Sequence, residues 1–270
     1  MGDYVDLPGV RTWYETEGSG DPLLLLHGGF CTIETWGAQR ADLAAAYRVF
    51  LPERRAHGHT PDVAGQLSYQ DMAEDTVDFL EAVVRAPAHL VGWSDGGIIA
   101  LIVAAARPDL IRKVVVIGAN FRPASEAFVE PAMFDAMAQG SDELEFFRAM
   151  YEPVTPDGAE HWPVVARKIL DMWRGQPTLT TEDLGRITAP TLVMAGDDDM
   201  VTLEHTIALY RAVSDAQLAV VPGASHLAPL ERPALVNRLI LDHLGQDAAE
   251  TMMPIRRATR PAPAADARVT

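Results

Sequence analysis

The sequence predicts an α/β protein: a mostly parallel central sheet flanked by helices, with an inserted helical cap. Three observations predict it. Short, largely apolar runs without regular polar alternation recur at residues 23–26, 88–91, 114–117 and 191–195, as expected of strands buried on both faces. Stretches with helical spacing lie between them, an alternation that produces parallel strands. The run at 88–91 leads through Gly92-Trp93-Ser94-Asp95-Gly96-Gly97 into an Ala-rich stretch, which reads as strand, sharp turn and buried helix.

Residues 10–16 are rich in Val, Thr, Trp and Tyr and read as an early strand. Gly18, Gly20 and Pro22 mark a turn. Strand 23–26 ends in His27-Gly28-Gly29-Phe30. A helix over 35–46, a buried strand over 48–51 and a polar loop over 52–60 follow. Met72, Ala73, Val77, Leu80, Val83 and Val84 give helical spacing across 69–84, with Ser68 as N-cap and Asp71 three residues on. The helix after the turn runs over 98–106 and stops at Arg107-Pro108.

Beyond strand 114–117, residues 121–186 show no strand-like run. Helices are expected near 126–137, 142–150 and 164–173, broken by Pro131, Pro153, Pro156 and Pro177. Helix-only sequence between strands predicts a cap. Strand 191–195, helix 204–213, strand 218–221 and helix 234–244 complete the pattern. The expected division is a core of 1–120 with 186–245, a cap of 121–185, and a disordered tail of 246–270 with few large apolar residues.

The chain has 270 residues, 48% of them hydrophobic, enough for a large core. Its 22 basic and 38 acidic side chains leave a net charge of −16. That argues against nucleic acid or an anionic membrane surface as partner, since both need basic patches. Cys31 is the single cysteine, which excludes an internal disulfide and fits a reducing cytoplasm. The N-terminus lacks the features of a signal peptide. A small-molecule substrate and a cytoplasmic location are the expectation.

Gly92, Ser94 and Gly96 fit the G-x-S-x-G nucleophile elbow. There a tight turn lifts the serine Oγ clear of the backbone and leaves no room for Cβ two residues either side. A serine needs a base and an orienting acid, which follow it in the order acid, then histidine. The acid is expected just past strand 191–195, in Asp197-Asp198-Asp199. Asp199, furthest past Gly196, is the choice and Asp198 the alternative. The base is expected after strand 218–221, where His226 stands. Two backbone N–H groups must hold the oxyanion: that of Asp95, and that of Gly29, with Phe30 the alternative. His27 is expected to brace this loop. Asp95, Phe30 and Trp93 are expected to contact substrate. This chemistry calls for no cofactor and no metal.

Together these residues resemble the α/β-hydrolase superfamily from about residue 10 to 244. The resemblance implies the α/β-hydrolase fold, and its acid, third after the glycine, supports Asp199. The run from Gly92 to Ile98, with Gly118-Ala119-Asn120, is more specifically similar to the valacyclovir (biphenyl hydrolase-like) hydrolases. These cleave α-amino acid esters, and the Asp beside their nucleophile holds the substrate ammonium; here that residue is Asp95. A structural reading of Asp95, as an acid favoured in a helix's first turn, stays open. One departure lies in the superfamily's Asp-x-Arg-Gly-x-Gly-x-Ser loop, where Glu53, Ala56 and Thr60 stand instead. The resemblance implies a serine esterase favouring α-amino acid esters. Cofactor-free perhydrolases, lactonases and C–C hydrolases share the same triad, and a small-molecule receptor on this scaffold is the remaining alternative.

Overall fold

The computed structural model describes residues 2–138, 142–248 and 251–253. Eight strands form one sheet: β1 (Asp3–Leu7), β2 (Val10–Gly18), β3 (Pro22–Leu26), β4 (Arg48–Pro52), β5 (Ala88–Trp93), β6 (Ile111–Ile117), β7 (Thr191–Asp198) and β8 (Ala216–Ser225). Their order is β1-β2-β4-β3-β5-β6-β7-β8. Only the β1/β2 and β2/β4 pairings are antiparallel; the others are parallel. The parallel strands explain the missing alternation, because both faces are covered. Leu24, Leu26 and Leu90 join one apolar cluster, while Leu23, Leu25 and Val91 join the other. Strand β1 was not anticipated, because its polar, largely exposed residues form no apolar run.

The first face carries α2 (Tyr69–Phe79) and α3 (Asp95–Ala106); the second carries α1 (Gly37–Ala44) and α11 (Pro233–Gly245). Helix α2 starts where expected, with the Ser68 hydroxyl accepting from the Asp71 N–H. Its last turn loosens into a π-helical stretch, Leu80–Val84.

Between β6 and β7 the named elements are all helices: α4 (Ala124–Ala127), α5 (Met133–Ala138), α6 (Asp142–Tyr151), α7 (Trp162–Gly175) and α8 (Thr181–Gly185). The single helix expected over 126–137 is two. Pro131 separates them, since proline lacks an N–H and disfavours helix in the residue before it. Helix α8 was missed, although Thr180 and Asp183 form a capping box. This helical insertion is tied to the core by a Phe128–Val201 bridge. On the other side Asp62 takes Lys168 Nζ at 2.7 Å and His161 Nε2 at 2.9 Å, both from the insertion. Helices α9 (Leu203–Ala212) and α10 (Ala228–Glu231) follow β7 and β8. The tail expected to be disordered, 246–270, lies largely outside the described residues. Among those described, no helix is long and apolar enough to cross a membrane.

The loop that departs from the superfamily pattern is nevertheless bonded at Glu53 and Thr60. The buried Glu53 carboxylate accepts from the Ile33 and His59 amides and from His59 Nδ1. Thr60 Oγ1 donates to the Glu53 carbonyl and accepts from the Trp13 N–H. Ala56 adopts φ +64°, the left-handed region a glycine enters freely.

Burial pushes His57 down to about 3, and His89 and His205 down to about 4. Each titrates near 6.5 in the unfolded chain. Below that pH the unfolded chain binds more protons than the folded one, so stability falls towards pH 4. His59, raised by its bond to Glu53, acts oppositely and is partly exposed. The urea midpoint is therefore expected to drop between pH 7 and 4.5. His205→Gln, which can still accept from the Phe121 N–H, should lower the slope by up to one proton, about 1.4 kcal/mol per pH unit. An unaltered slope in that variant would count against a neutral buried His205.

Candidate active site

Ser94 is the single residue between β5 and α3, at φ +55° and ψ −121°. Such a backbone costs about 1–3 kcal/mol and persists only when its surroundings over-determine it. Here they do. The Ser94 N–H donates to the Ile117 carbonyl at 2.8 Å, and its carbonyl accepts from Gly97 and Ile98. A Cβ on Gly92 would stand 2.2 Å from the Gly96 carbonyl oxygen, and one on Gly96 2.0 Å from that of Leu26. The sterics read from the motif are those of the structure.

His226 Nε2 lies 3.0 Å from Ser94 Oγ, and His226 Nδ1 lies 2.7 Å from Asp199 Oδ1. The carboxylate accepts from Nδ1–H, which leaves Nε2 to accept the serine proton. Asp199 is buried and also accepts from the Val201 N–H. Its neighbours are differently engaged. Asp197 Oδ1 accepts from the Ala224 N–H, and Asp198 is an exposed strand residue opposite Ser225. The His226 loop is itself held, since Trp93 Nε1 donates to the His226 carbonyl at 2.9 Å. Trp93 lines the cavity, but its polar atom serves this loop.

The Asp95 N–H opens α3 and so has no intrahelical acceptor. Across the site lies the His27–Phe30 loop. The Phe30 N–H donates to His57 Nε2 at 3.2 Å, so it is engaged, whereas Gly29 lines the cavity. Phe30 is absent from that lining, contrary to expectation. With φ +59°, its ring packs against Phe147, Trp162 and Trp173. Gly29 has no room for a side chain, because a Cβ would meet Trp173 at 2.4 Å and Asp95 Oδ2 at 2.6 Å. His27 braces the loop as expected: Nδ1–H donates to the Gly28 carbonyl, and Nε2 accepts from the Arg54 N–H. Burial holds it well below its usual pKa, hence neutral.

The Asp95 carboxylate is buried. Tyr69 OH donates to it at 2.8 Å and Trp173 Nε1 at 3.0 Å. Neither donor was anticipated. Tyr69 opens α2 and Trp173 comes from the insertion, and no local pattern links either to the elbow. Burial, with the adjacent Asp95 carboxylate, keeps the Tyr69 phenol protonated. Cys31 also lines the cavity, but burial pushes its thiol up to about 12, so it stays protonated.

The cavity measures about 820 Å³. Ser94, Asp95, Asp199 and His226 lie on one wall, and Phe128, Met133, Met137, Phe147 and Met150 of the insertion supply an apolar one. Its charged lining is acidic, with Glu130 and Asp198 besides the two aspartates, and among the described residues no lysine or arginine lines it. No group of three metal-ligating side chains occurs among the described residues.

Comparisons with known proteins agree with this fold. The serine hydrolase BPHL of Homo sapiens is 29% identical, over 89% of this chain and 85% of its own. A 2-hydroxy-6-oxo-6-phenylhexa-2,4-dienoate hydrolase of Burkholderia cepacia is 30% identical, over 88% and 92%. A crystallised meta-cleavage product hydrolase of Pseudomonas fluorescens superposes with a TM-score of 0.73 at 21% identity, covering 90% of this chain and 97% of its own. The model of the alpha/beta hydrolase family matches residues 23–239, a span that runs from β3 into α11 and includes the elbow, the acid and the histidine. The chain belongs to the alpha/beta hydrolase family.

Proposed function

We propose that this chain is a serine hydrolase of small carboxylic esters that favours esters of α-amino acids. Ser94 Oγ attacks the ester carbonyl while His226 takes its proton. The Asp199 carboxylate holds the imidazole and stabilises its charged form. The Asp95 and Gly29 N–H groups receive the oxyanion. His226 then protonates the leaving alcohol, and water repeats the cycle on the acyl-enzyme.

The observation that carries the substrate preference is the Asp95 carboxylate, buried beside the nucleophile in a cavity that no lysine or arginine lines among the described residues. Two neutral donors, Tyr69 and Trp173, leave part of its acceptor capacity unused. An α-ammonium, one carbon from the scissile carbonyl, has the charge and separation to fill it. The same electrostatics disfavour carboxylate-bearing substrates such as the dienoate in the Burkholderia relative's name. The apolar wall of the cavity supports a hydrophobic acyl or alcohol portion.

Ser94→Ala, His226→Ala and Asp199→Asn should each remove most ester turnover, by roughly 10³-fold or more, without adding when combined. Asp198→Asn should stay near wild type; the reverse pattern would move the acid to Asp198.

An ester panel with and without a free α-amine tests the preference. Truncating one partner of a desolvated charge pair costs roughly 2–5 kcal/mol. Asp95→Asn should therefore lower kcat/KM for amino acid esters by about 30-fold to several thousand-fold. Uncharged esters of similar size should lose little. Equal losses on both series would make Asp95 a structural residue of the elbow and leave a general esterase.

A further inference from the structure

Arg54 carries a charge into the interior, 5% exposed, and no carboxylate lies within ion-pair distance of it among the described residues. An unpaired buried cation is costly and calls for a reason. Its hydrogen bonds supply one. Nη1 donates to the His27 carbonyl, and Nη2 donates to the Gly28 carbonyl at 2.7 Å. The Gly28 carbonyl also accepts from His27 Nδ1–H at 2.9 Å and from the Cys31 N–H at 3.3 Å. Three donors, one of them charged, converge on one oxygen. Nε of the guanidinium is left buried without a partner, so the group is placed for these carbonyls rather than for full satisfaction.

That oxygen and the Gly29 N–H are opposite edges of one peptide plane. Clamping the carbonyl edge therefore aims the N–H edge away from Arg54. A charged donor on the carbonyl also polarises the plane and strengthens the N–H as a donor. The need is visible across the loop. Asp95 presses so close to Gly29 that a Cβ there would meet Oδ2 at 2.6 Å, and its negative charge opposes a developing oxyanion. A direct Arg54–Asp95 salt bridge would neutralise both groups. Instead the cation is bound to the peptide, and the carboxylate remains open on the cavity side.

We propose that Arg54 is a positioning residue of the oxyanion hole: it clamps and polarises the Gly28–Gly29 peptide and offsets the Asp95 charge. This deepens the hydrolase reading above and rests on it. The test compares wild type with Arg54→Met and Arg54→Lys on an uncharged ester. It also uses two inhibitors of one skeleton, a trifluoromethyl ketone and the corresponding secondary alcohol. Ser94 Oγ adds to the ketone carbon, the serine proton passes to His226, and the ketone oxygen becomes an oxyanion; the alcohol forms none. Arg54→Met should lower kcat by about 10- to 100-fold, short of the 10²–10³-fold typical for deleting an oxyanion donor outright. KM should change little. Ketone affinity should fall in parallel with kcat while alcohol affinity holds, and Arg54→Lys should recover part of both losses. In an Asp95→Asn background the loss should shrink, because the charge to be offset is gone. An unchanged kcat, or ketone and alcohol affinities that fall together, would overturn the proposal. If Arg54→Met does not fold, Arg54→Lys decides: a selective loss of ketone affinity supports the proposal, and no selective loss rejects it. A wild type that neither turns over esters nor binds the ketone covalently would instead overturn the hydrolase reading.

Discussion

Everything at the site depends on how closely α3 crosses the ends of β3 and β5. Gly96 meets the Leu26 carbonyl and Gly92 meets Gly96 at distances no Cβ tolerates. That contact forces the chain to reverse within one residue, so Ser94 takes the strain and projects its hydroxyl. The same contact brings the start of α3 against the loop after β3. Asp95 and Gly29, far apart in sequence, become neighbours because two backbones touch. A hydrogen-bonded sheet on one side and a helix that is buried from Asp95 to Ala104 and apolar after Asp95 on the other keep the turn from relaxing.

The parts of this arrangement that are backbone sterics could be read from the sequence. Glycines at 92 and 96 are signatures of crowding, and crowding is local. His226 could be read because it follows a strand directly. Asp199 was the choice among three adjacent aspartates by its distance past Gly196, with Asp198 the alternative. In the structure Asp199 is the one bonded to His226 Nδ1, while Asp197 accepts from the Ala224 amide and Asp198 is an exposed strand residue. Tyr69, Trp173, Arg54 and His57 were not legible, since each reaches the site from a distant segment through one side chain. Phe30 misled for a related reason. Its position beside Gly29 suggested the cavity, but a left-handed φ and the His57 acceptor turn it into the aromatic packing below. In the insertion, helical spacing was visible, and the proline that divides α4 from α5 set the boundaries.

The polar interior beneath the loop follows one rule: each histidine there is neutral and makes directed bonds from both nitrogens. His27 joins Gly28 to Arg54, and His57 joins Phe30 to the Arg55 carbonyl. Neutral imidazoles can act as donor and acceptor at once, which a charged ring cannot. They lock the loop without adding charge, so Arg54 and Asp95 remain the charges nearest the Gly28–Gly29 peptide. Burial enforces this neutrality, and the same burial ties the loop's integrity to proton uptake.

The acid lining of the cavity has a consequence for what leaves it. In the proposed reaction the acyl group enters as an ester carrying an α-ammonium and departs as an amino acid that has gained a carboxylate. That product is formed facing Asp95, Glu130, Asp198 and Asp199, with no lysine or arginine of the described lining to hold it. It emerges into the field of a chain carrying a net charge of −16. Hydrolysis thus keeps the ammonium that Asp95 favours but adds a negative charge that the acidic lining opposes, so the product is held less well than the substrate.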